Sequence, residues 1–489
     1  MRPLTANLLI CLLITSWSTS NVHGAEPVEL TLTPRAIEQP LLKYRLLPAE
    51  FEIKDGNAAT IILRMIWEQR PYMQEVYGTH DDDLELAIDD PKIIEIGTRE
   101  FDTFFYQLKR AAYRRTAEWD YPIGDVPALF MLLPDVQGGR EFVGKALSVW
   151  IRYQIARGEL EKAREGILVG LAVSRHYART PFGIIQLVSN AVNQFMWRRV
   201  EELLAHPNCP NMYWALTALP RPYLDIRSMT EYEERILEST YVGQPLLDTD
   251  TDPAKLTLDG LDDPDSTRTE HDWEILLTSM IDLCLLELGD SGQPKPEDRR
   301  TIRDNTFRVA RRELPDLIEG ETERVSRMSD AEAGVRWIVL KHREYCQEVT
   351  ALMALDPPLA LPALKDVQER NHRFRSERRP EVMLVLPSPH NIYIAARTND
   401  RRIAAFRTVE AIRHYAATHD GRLPNSLDEI SDPPVPDDPI LMKPFHYEVN
   451  DDVATLSAEG IPGGARDDQA DPGVLGEIQY HIRLRKPVE

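Results

Sequence analysis

Several stretches of this chain carry side chains whose types and spacing could do chemistry. Gly139-Arg140-Glu141-Phe142-Val143-Gly144-Lys145-Ala146 nearly follows the phosphate-binding pattern G-x-x-x-x-G-K-[ST], in which backbone amides cradle phosphate oxygens and a hydroxyl holds Mg²⁺. Ala146 stands where the hydroxyl should be, so the glycine pair is expected to start the following helix instead. Gly289-Asp290-Ser291-Gly292 surrounds a serine as in trypsin-like proteases, but that serine needs a histidine base and a buried aspartate on an all-strand scaffold. Here it directly follows an amphipathic helix, and Gly289 with Pro294 and Pro296 reads as a helix stop.

Two further groupings suggest metal binding. Asp248, Asp250, Asp252 and Asp259 fall at positions 1, 3, 5 and 12 of a calcium loop, yet position 6, which needs glycine for a sharp turn, is Pro253. That stretch is expected to be a solvated acidic loop. His342 and Cys346 are four apart on one helix face and could reach one metal, but further ligands at zinc-site spacing are missing, so both are expected in the core. Runs such as Glu231, Glu233 and Glu234 are ordinary for a surface helix. None of these groupings assembles an acid, a base and a positioned nucleophile, and the catalytic and cofactor-binding sets are expected to be empty.

The elements that must position these residues are mostly helical. Ile61, Ile62, Met65 and Ile66 form one stripe, and Phe101, Phe104, Phe105, Leu108 and Ala112 another, at the spacing that lines one helix face. Residues 148–178 read as a helical hairpin turned at Gly158, tetratricopeptide-like in its small-residue placement, without a recurring 34-residue period. A helix is expected over 184–204, and helical periodicity resumes at Ile275. Further helices are expected from Pro296 to Leu314, where Pro315 intervenes, and from Asp330 to Leu355, after which Pro357, Pro358 and Pro362 break the chain. The expected organisation is a signal peptide over 1–24, a helical domain over 25–247, an acidic linker over 248–274, a helical continuation over 275–380 and a C-terminal α+β module over 381–489. The fold class is thus mainly α with a small α+β end.

The N-terminus has Arg2, an apolar stretch from Leu8 to Trp17 and a small-residue boundary at Gly24-Ala25, the layout of a signal peptide. The apolar part is well short of the roughly 20 residues that span a bilayer, so cleavage and a soluble, exported protein, periplasmic or extracellular, are expected. The 489 residues carry 57 Lys and Arg against 79 Asp and Glu, a formal charge of −22. Such a chain repels phosphate backbones, which argues against nucleic acid as a partner. Beyond Cys11 in the signal, Cys209, Cys284 and Cys346 are an odd set that cannot pair completely, leaving stabilisation mainly to the core.

The stretch from Arg401 to Arg485 is the most specific. A helix over 404–418 is followed by an Asp420-Gly421 turn, a short helix near 426–430, the Asp438-Pro439 pair, strands over 444–449 and 453–458, a glycine- and aspartate-rich loop, and a strand over 478–484. Through HYAATHDGRLP, Leu427 and Ile430, Asp438-Pro439 and KPFHYEV, this order resembles the soluble C-terminal part of the major pseudopilins of type II secretion. The resemblance implies calcium in the loop before the last strand, with Asp467, Asp468 and Asp471 as the nearest ligands. The pilin leader and long apolar N-terminal helix are missing, so polymerisation is not implied. The segments QIARGELEKAREGILVGLAVSRHYA and HPNCPNMYWALTALPRPYLDIR also resemble a group of exported bacterial proteins that join such helices to this module. That resemblance implies architecture and no activity. Together these readings lead to the expectation of an exported, non-catalytic interaction or structural protein of the cell envelope that holds a protein partner, with a hydrolase as the alternative.

Overall fold

The computed structural model describes residues 27–76, 84, 86–97, 101–119, 138–179, 183–230, 268–287, 296–318, 322–377, 379, 388–463 and 474–485. Among them the chain is mainly helical with a small C-terminal sheet. It begins with a strand, β1 (Val28–Leu32), then β2 (Lys54–Asn57), α1 (Ala58–Val76), α2 (Pro91–Gly97), α3 (Asp102–Ala112) and β3 (Arg114–Thr116). A π-helical stretch, Gly139–Ala146, runs straight into α4 (Leu147–Ala156), so the glycine pair of the near phosphate-loop lies in a helix. The hairpin follows as expected. Helix α5 (Leu160–Ala178) turns back at Gly158, whose φ of 72° suits a residue without Cβ. Then come α6 (Gly183–Ala205) and α7 (Tyr213–Thr217).

A second helical group comprises α8 (Glu270–Glu287), α9 (Pro296–Leu317), α10 (Thr322–Arg327), α11 (Asp330–Met353) and α12 (Pro357–Ser376). The prolines behave differently from the sequence expectation. Pro315 lies inside α9, which continues for two residues beyond it, and the Ile318 amide still bonds the Leu314 carbonyl. Pro357 and Pro358 open α12 rather than ending order, because first-turn amides have no intrahelical acceptor and proline loses nothing there. Pro362 sits within the same helix.

The longest helix, α13 (Pro389–Thr418), begins well before the expected start at 404 and is buried over most of its surface. It leads to β4 (His446–Asn450), β5 (Val453–Ala458), the short pair β6 (Ile461–Pro462) and β7 (Val474–Leu475), and β8 (Ile478–Leu484). The sheet order is β1-β8-β5-β4, with β4, β5 and β8 antiparallel and β1 parallel to β8. Strand β1 was not anticipated from the sequence. It brings the N-terminal end of the described chain into the C-terminal sheet, with Leu30 opposite Ile482 and Val28 opposite Tyr480.

Alternation along these strands places Leu30, Leu32, Ala454, Leu456, Tyr480 and Ile482 inward, where α13 supplies Ala405, Phe406, Val409 and Ile412. The same core continues through Trp197 and Tyr223 into the first helical group; Phe406 lies 5.9 Å from Tyr480 and 6.2 Å from Trp197, ring centre to ring centre. A second core joins α8, α9, α11 and α12 to Tyr393 and Ala396 near the start of α13. Helix α13 therefore belongs to both cores.

Two of the histidines buried among these helices have lowered pKa values. His176 in α5 is 5% exposed, and burial, with the nearby Arg179 charge, holds its pKa down to about 4. His390, in the first turn of α13, is likewise held at about 4 by burial, against an opposing hydrogen bond with Asn391. In the unfolded chain both titrate near 6.5, so below that pH the unfolded state binds protons first. Their contribution is therefore intact above pH 6.5 and shrinks as the pH falls toward 4. Urea denaturation at pH 7 and pH 5 should show a loss of about 2 kcal/mol per histidine, and His176→Gln/His390→Gln should flatten that dependence. A double variant with the wild-type pH slope would refute this account.

Candidate functional site

The residues with chemical potential are spread over the fold. Asp467, Asp468 and Asp471, the expected calcium ligands, lie outside the described residues, as do Gly289-Asp290-Ser291-Gly292 and the acidic stretch from Asp248 to Asp259. His342 and Cys346 do come together, Nε2 to Sγ 3.4 Å, but inside the second core, with Cys346 fully buried. Among the described residues no group of three or more His, Cys, Asp or Glu side chains could hold a metal ion. Cys209 and Cys346 lie in separate cores, and burial pushes the Cys209 thiol up to about 12, which keeps it protonated.

The base of the loop that contains the three aspartates is well defined. Strands β6 and β7 pair Ile461 with Leu475 and Pro462 with Val474. Just outside that ladder, Arg401 of α13 reaches both sides: its Nη1 donates to the Glu459 carbonyl at 2.9 Å and to the Gly476 carbonyl at 2.7 Å. Its other edge makes a bidentate pair with Asp438, Nε to Oδ1 at 3.0 Å and Nη2 to Oδ2 at 2.7 Å, and both side chains are sealed from water. Asp438 Oδ1 also accepts from the Ile440 amide at 2.9 Å. Gly476 is required here twice over: its φ is 71°, and a Cβ would stand 2.8 Å from Thr398 Oγ1. One guanidinium thus fixes the Asp438 turn, the Glu459 strand end and the start of β8.

The outer face of the sheet is polar. Glu29 of β1 accepts from His481 Nδ1 at 2.7 Å and from Arg483 Nη1 at 2.5 Å, while His481 Nε2 lies 3.2 Å from Gln479 Nε2. The His481 hydrogen bond is the main influence holding the Glu29 carboxyl below its ordinary value. Thr455 stands opposite His481 in register, yet the imidazole is engaged by Glu29 and Gln479. The group ties β1 to β8 and orients an imidazole.

Three large aromatic side chains are exposed on the elements around β2, α1 and α3: Phe51 in the turn before β2, Trp67 on α1 and Tyr106 on α3. Strand β2 pairs with β3, and α1 packs on α3. Phe101 and Phe105 turn inward onto Trp150, at 5.8 and 4.0 Å between ring centres. Phe51, Trp67 and Tyr106 remain 85%, 66% and 60% exposed. The sequence reading singled out neither this surface nor Arg401. An arginine three residues after Thr398 and four before Ala405, within a helix rich in apolar residues, was the available signal for the latter.

Comparison of the chain with protein-family models, with curated proteins and with solved structures finds no match in any of the three.

Replacing Arg401 by Met would leave Asp438 buried without its counterion, a defect that costs about 3–5 kcal/mol. Arg401→Met/Asp438→Asn should recover part of that loss, because the remaining buried group is neutral. Urea unfolding of the two variants tests this; equal stability of the single variant and the wild-type protein would show that the pair does not hold the turn.

Proposed function

We propose that this protein is an exported interaction protein of the cell envelope that holds a protein partner without catalysing a reaction. The observation that carries the reading is the exposed aromatic set, Phe51 in the turn just before β2, Trp67 on α1 and Tyr106 on α3. Large aromatic side chains contribute most of the energy of protein association when they enter a partner's pocket, at small entropic cost because they have few rotamers. Scattered exposed apolar residues are ordinary. Three exposed aromatics on consecutive elements, with Phe101 and Phe105 packed inward, fit a contact surface better than a solvated one.

Export supports the same reading from the other end of the argument. Arg2, the apolar run Leu8 to Trp17 and the Gly24-Ala25 boundary form a signal layout. Among the described residues no helix is long and apolar enough to cross a membrane. The likeness of residues 401–485 to pseudopilin soluble domains is part of the proposal, as a sign of an envelope setting.

A photoreactive amino acid at position 67, irradiated in cells that make the protein, should yield a discrete adduct of defined mass. The same residue at exposed Arg327 should not. Adducts of identical pattern from both positions, or none from position 67, would remove the partner. Separately, residues 1–30 fused to a reporter that is active only outside the cytoplasm should give signal. Silence with confirmed expression would overturn the envelope setting and leave the aromatic surface to be explained otherwise.

A further inference from the structure

The segment that follows β1 is strapped to the C-terminal part of α13, and one of its bonds depends on a proton. Residues 33–38 form neither helix nor strand. The Thr33 carbonyl accepts from Arg413 Nε at 3.1 Å, the Arg35 amide donates to the Arg413 carbonyl at 3.1 Å, and Arg35 Nη2 donates to the Pro207 carbonyl at 3.1 Å. Asn211 Nδ2 donates to the Arg35 carbonyl, also at 3.1 Å. None of these groups gains or loses a proton near neutral pH. The last bond differs, because the Ile37 amide donates to His414 Nδ1 at 3.1 Å.

A backbone amide only donates, so Nδ1 must carry a lone pair and the ring proton must sit on Nε2. Protonating the ring sets an N–H against the Ile37 N–H and removes the acceptor. His414 is half-buried, so its ring is not sealed from solvent protons. Burial holds its pKa below the ordinary histidine value; the Asp432 carboxylate opposes that and His419 adds to it. The strap therefore binds the neutral ring, and the bond is intact above about pH 6.5 and lost as the pH falls through the lower folded value. The β1 end answers differently. Glu29 as a carboxylate only accepts, so His481 Nδ1 donates to it whether that ring is neutral or charged, and the bond survives protonation of His481. The ladder between β1 and β8 is likewise indifferent to a proton on His414.

We infer that His414 is a pH-operated latch on this strap: near neutrality it holds Ile37 against α13, and protonation frees that end while β1 stays in the sheet. Ile37 packs against the first core, so opening the latch uncovers an apolar side chain. The latch is independent of the aromatic surface.

The test uses the full chain at pH 7.5 and pH 5.0. Hydrogen exchange resolved to the Ile37 amide, corrected for the pH dependence of intrinsic exchange, should show its protection falling about tenfold at pH 5.0, the equivalent of one lost hydrogen bond with added repulsion. In His414→Asn the side-chain Oδ1 stands where Nδ1 stood and accepts at either pH, so most of that fall should disappear. His176 and His390 weaken both proteins alike, and the difference between the two isolates His414. No fall in the wild-type protein would overturn the latch. So would an equal fall in both proteins, which would move the proton elsewhere, His206 being the next candidate because its Nδ1 accepts from the Asn208 amide at 3.2 Å in the turn that holds Arg35. Imidazole ¹⁵N shifts of the wild-type protein give a check that needs no variant: at pH 7.5 His414 should be the Nε2–H tautomer, and an Nδ1–H ring would overturn the bond itself.

Discussion

A guanidinium with no access to water must find its acceptors in the protein, and Arg413 finds them on its own helix and in two distant parts of the chain. Its Nε donates to the Thr33 carbonyl at 3.1 Å, its Nη2 to the Cys209 carbonyl at 2.8 Å, and its Nη1 to Glu410 Oε1 at 2.7 Å. The segment after β1, the loop between α6 and α7, and α13 are thereby fixed to a single point. Asn211 repeats the connection, donating to the Arg35 carbonyl at 3.1 Å and to the Glu410 carbonyl at 2.9 Å. A buried ion pair is weak evidence of net stability, since desolvation offsets much of the attraction. It is strong evidence of geometry, because an incomplete set of partners would leave a charge buried and unpaired.

The rest of the architecture follows from the helix that carries this arginine. Helix α13 has the sheet against one side and α6 and α7 against others, and its first turns enter the second core through Tyr393 and Ala396. An element enclosed so fully cannot place its polar residues in water. Asn399 accordingly accepts from Trp197 Nε1 at 2.8 Å and donates to Asn190 Oδ1 at 2.9 Å, while Arg401 serves the Asp438 turn. Arg407 departs from this pattern. It has a phenol where Arg401 and Arg413 have carboxylates, and that difference, more than its burial, marks it out.

Local regularity made part of this structure legible beforehand. The hairpin through Gly158, the helix over 183–205 and the strands at 453–458 and 478–484 all follow from periods of 3.6 or 2 residues with turn residues at their ends. The prolines misled because a proline's effect depends on its position: it ends a helix from within but begins one in the first turn. Strand β1 was missed because five residues alternating Val-Glu-Leu-Thr-Leu gain strand character only by pairing with β8, more than four hundred residues away. The early start of α13 was missed because His390, Asn391, Asn399 and Arg401 look like the composition of an exposed segment until their buried partners are seen.

By itself, the sequence determined that this chain is mainly helical, ends in a small α+β module and carries a large negative charge, because periodicity and composition act between near neighbours or over the whole chain. The tertiary structure decided which buried cations are paired. Arg401, Arg407 and Arg413 fall on one helix at a spacing of six residues; only Arg413 has its acid, Glu410, one turn away on the same helix. Glu410 comes with the helix itself, but Asp438, Tyr213 and the carbonyls of Thr33, Cys209, Glu459 and Gly476 are brought within 3.1 Å only when the cores close. For the partners that come from other elements, whether a guanidinium is satisfied is a property of distance in space, which sequence separation does not measure.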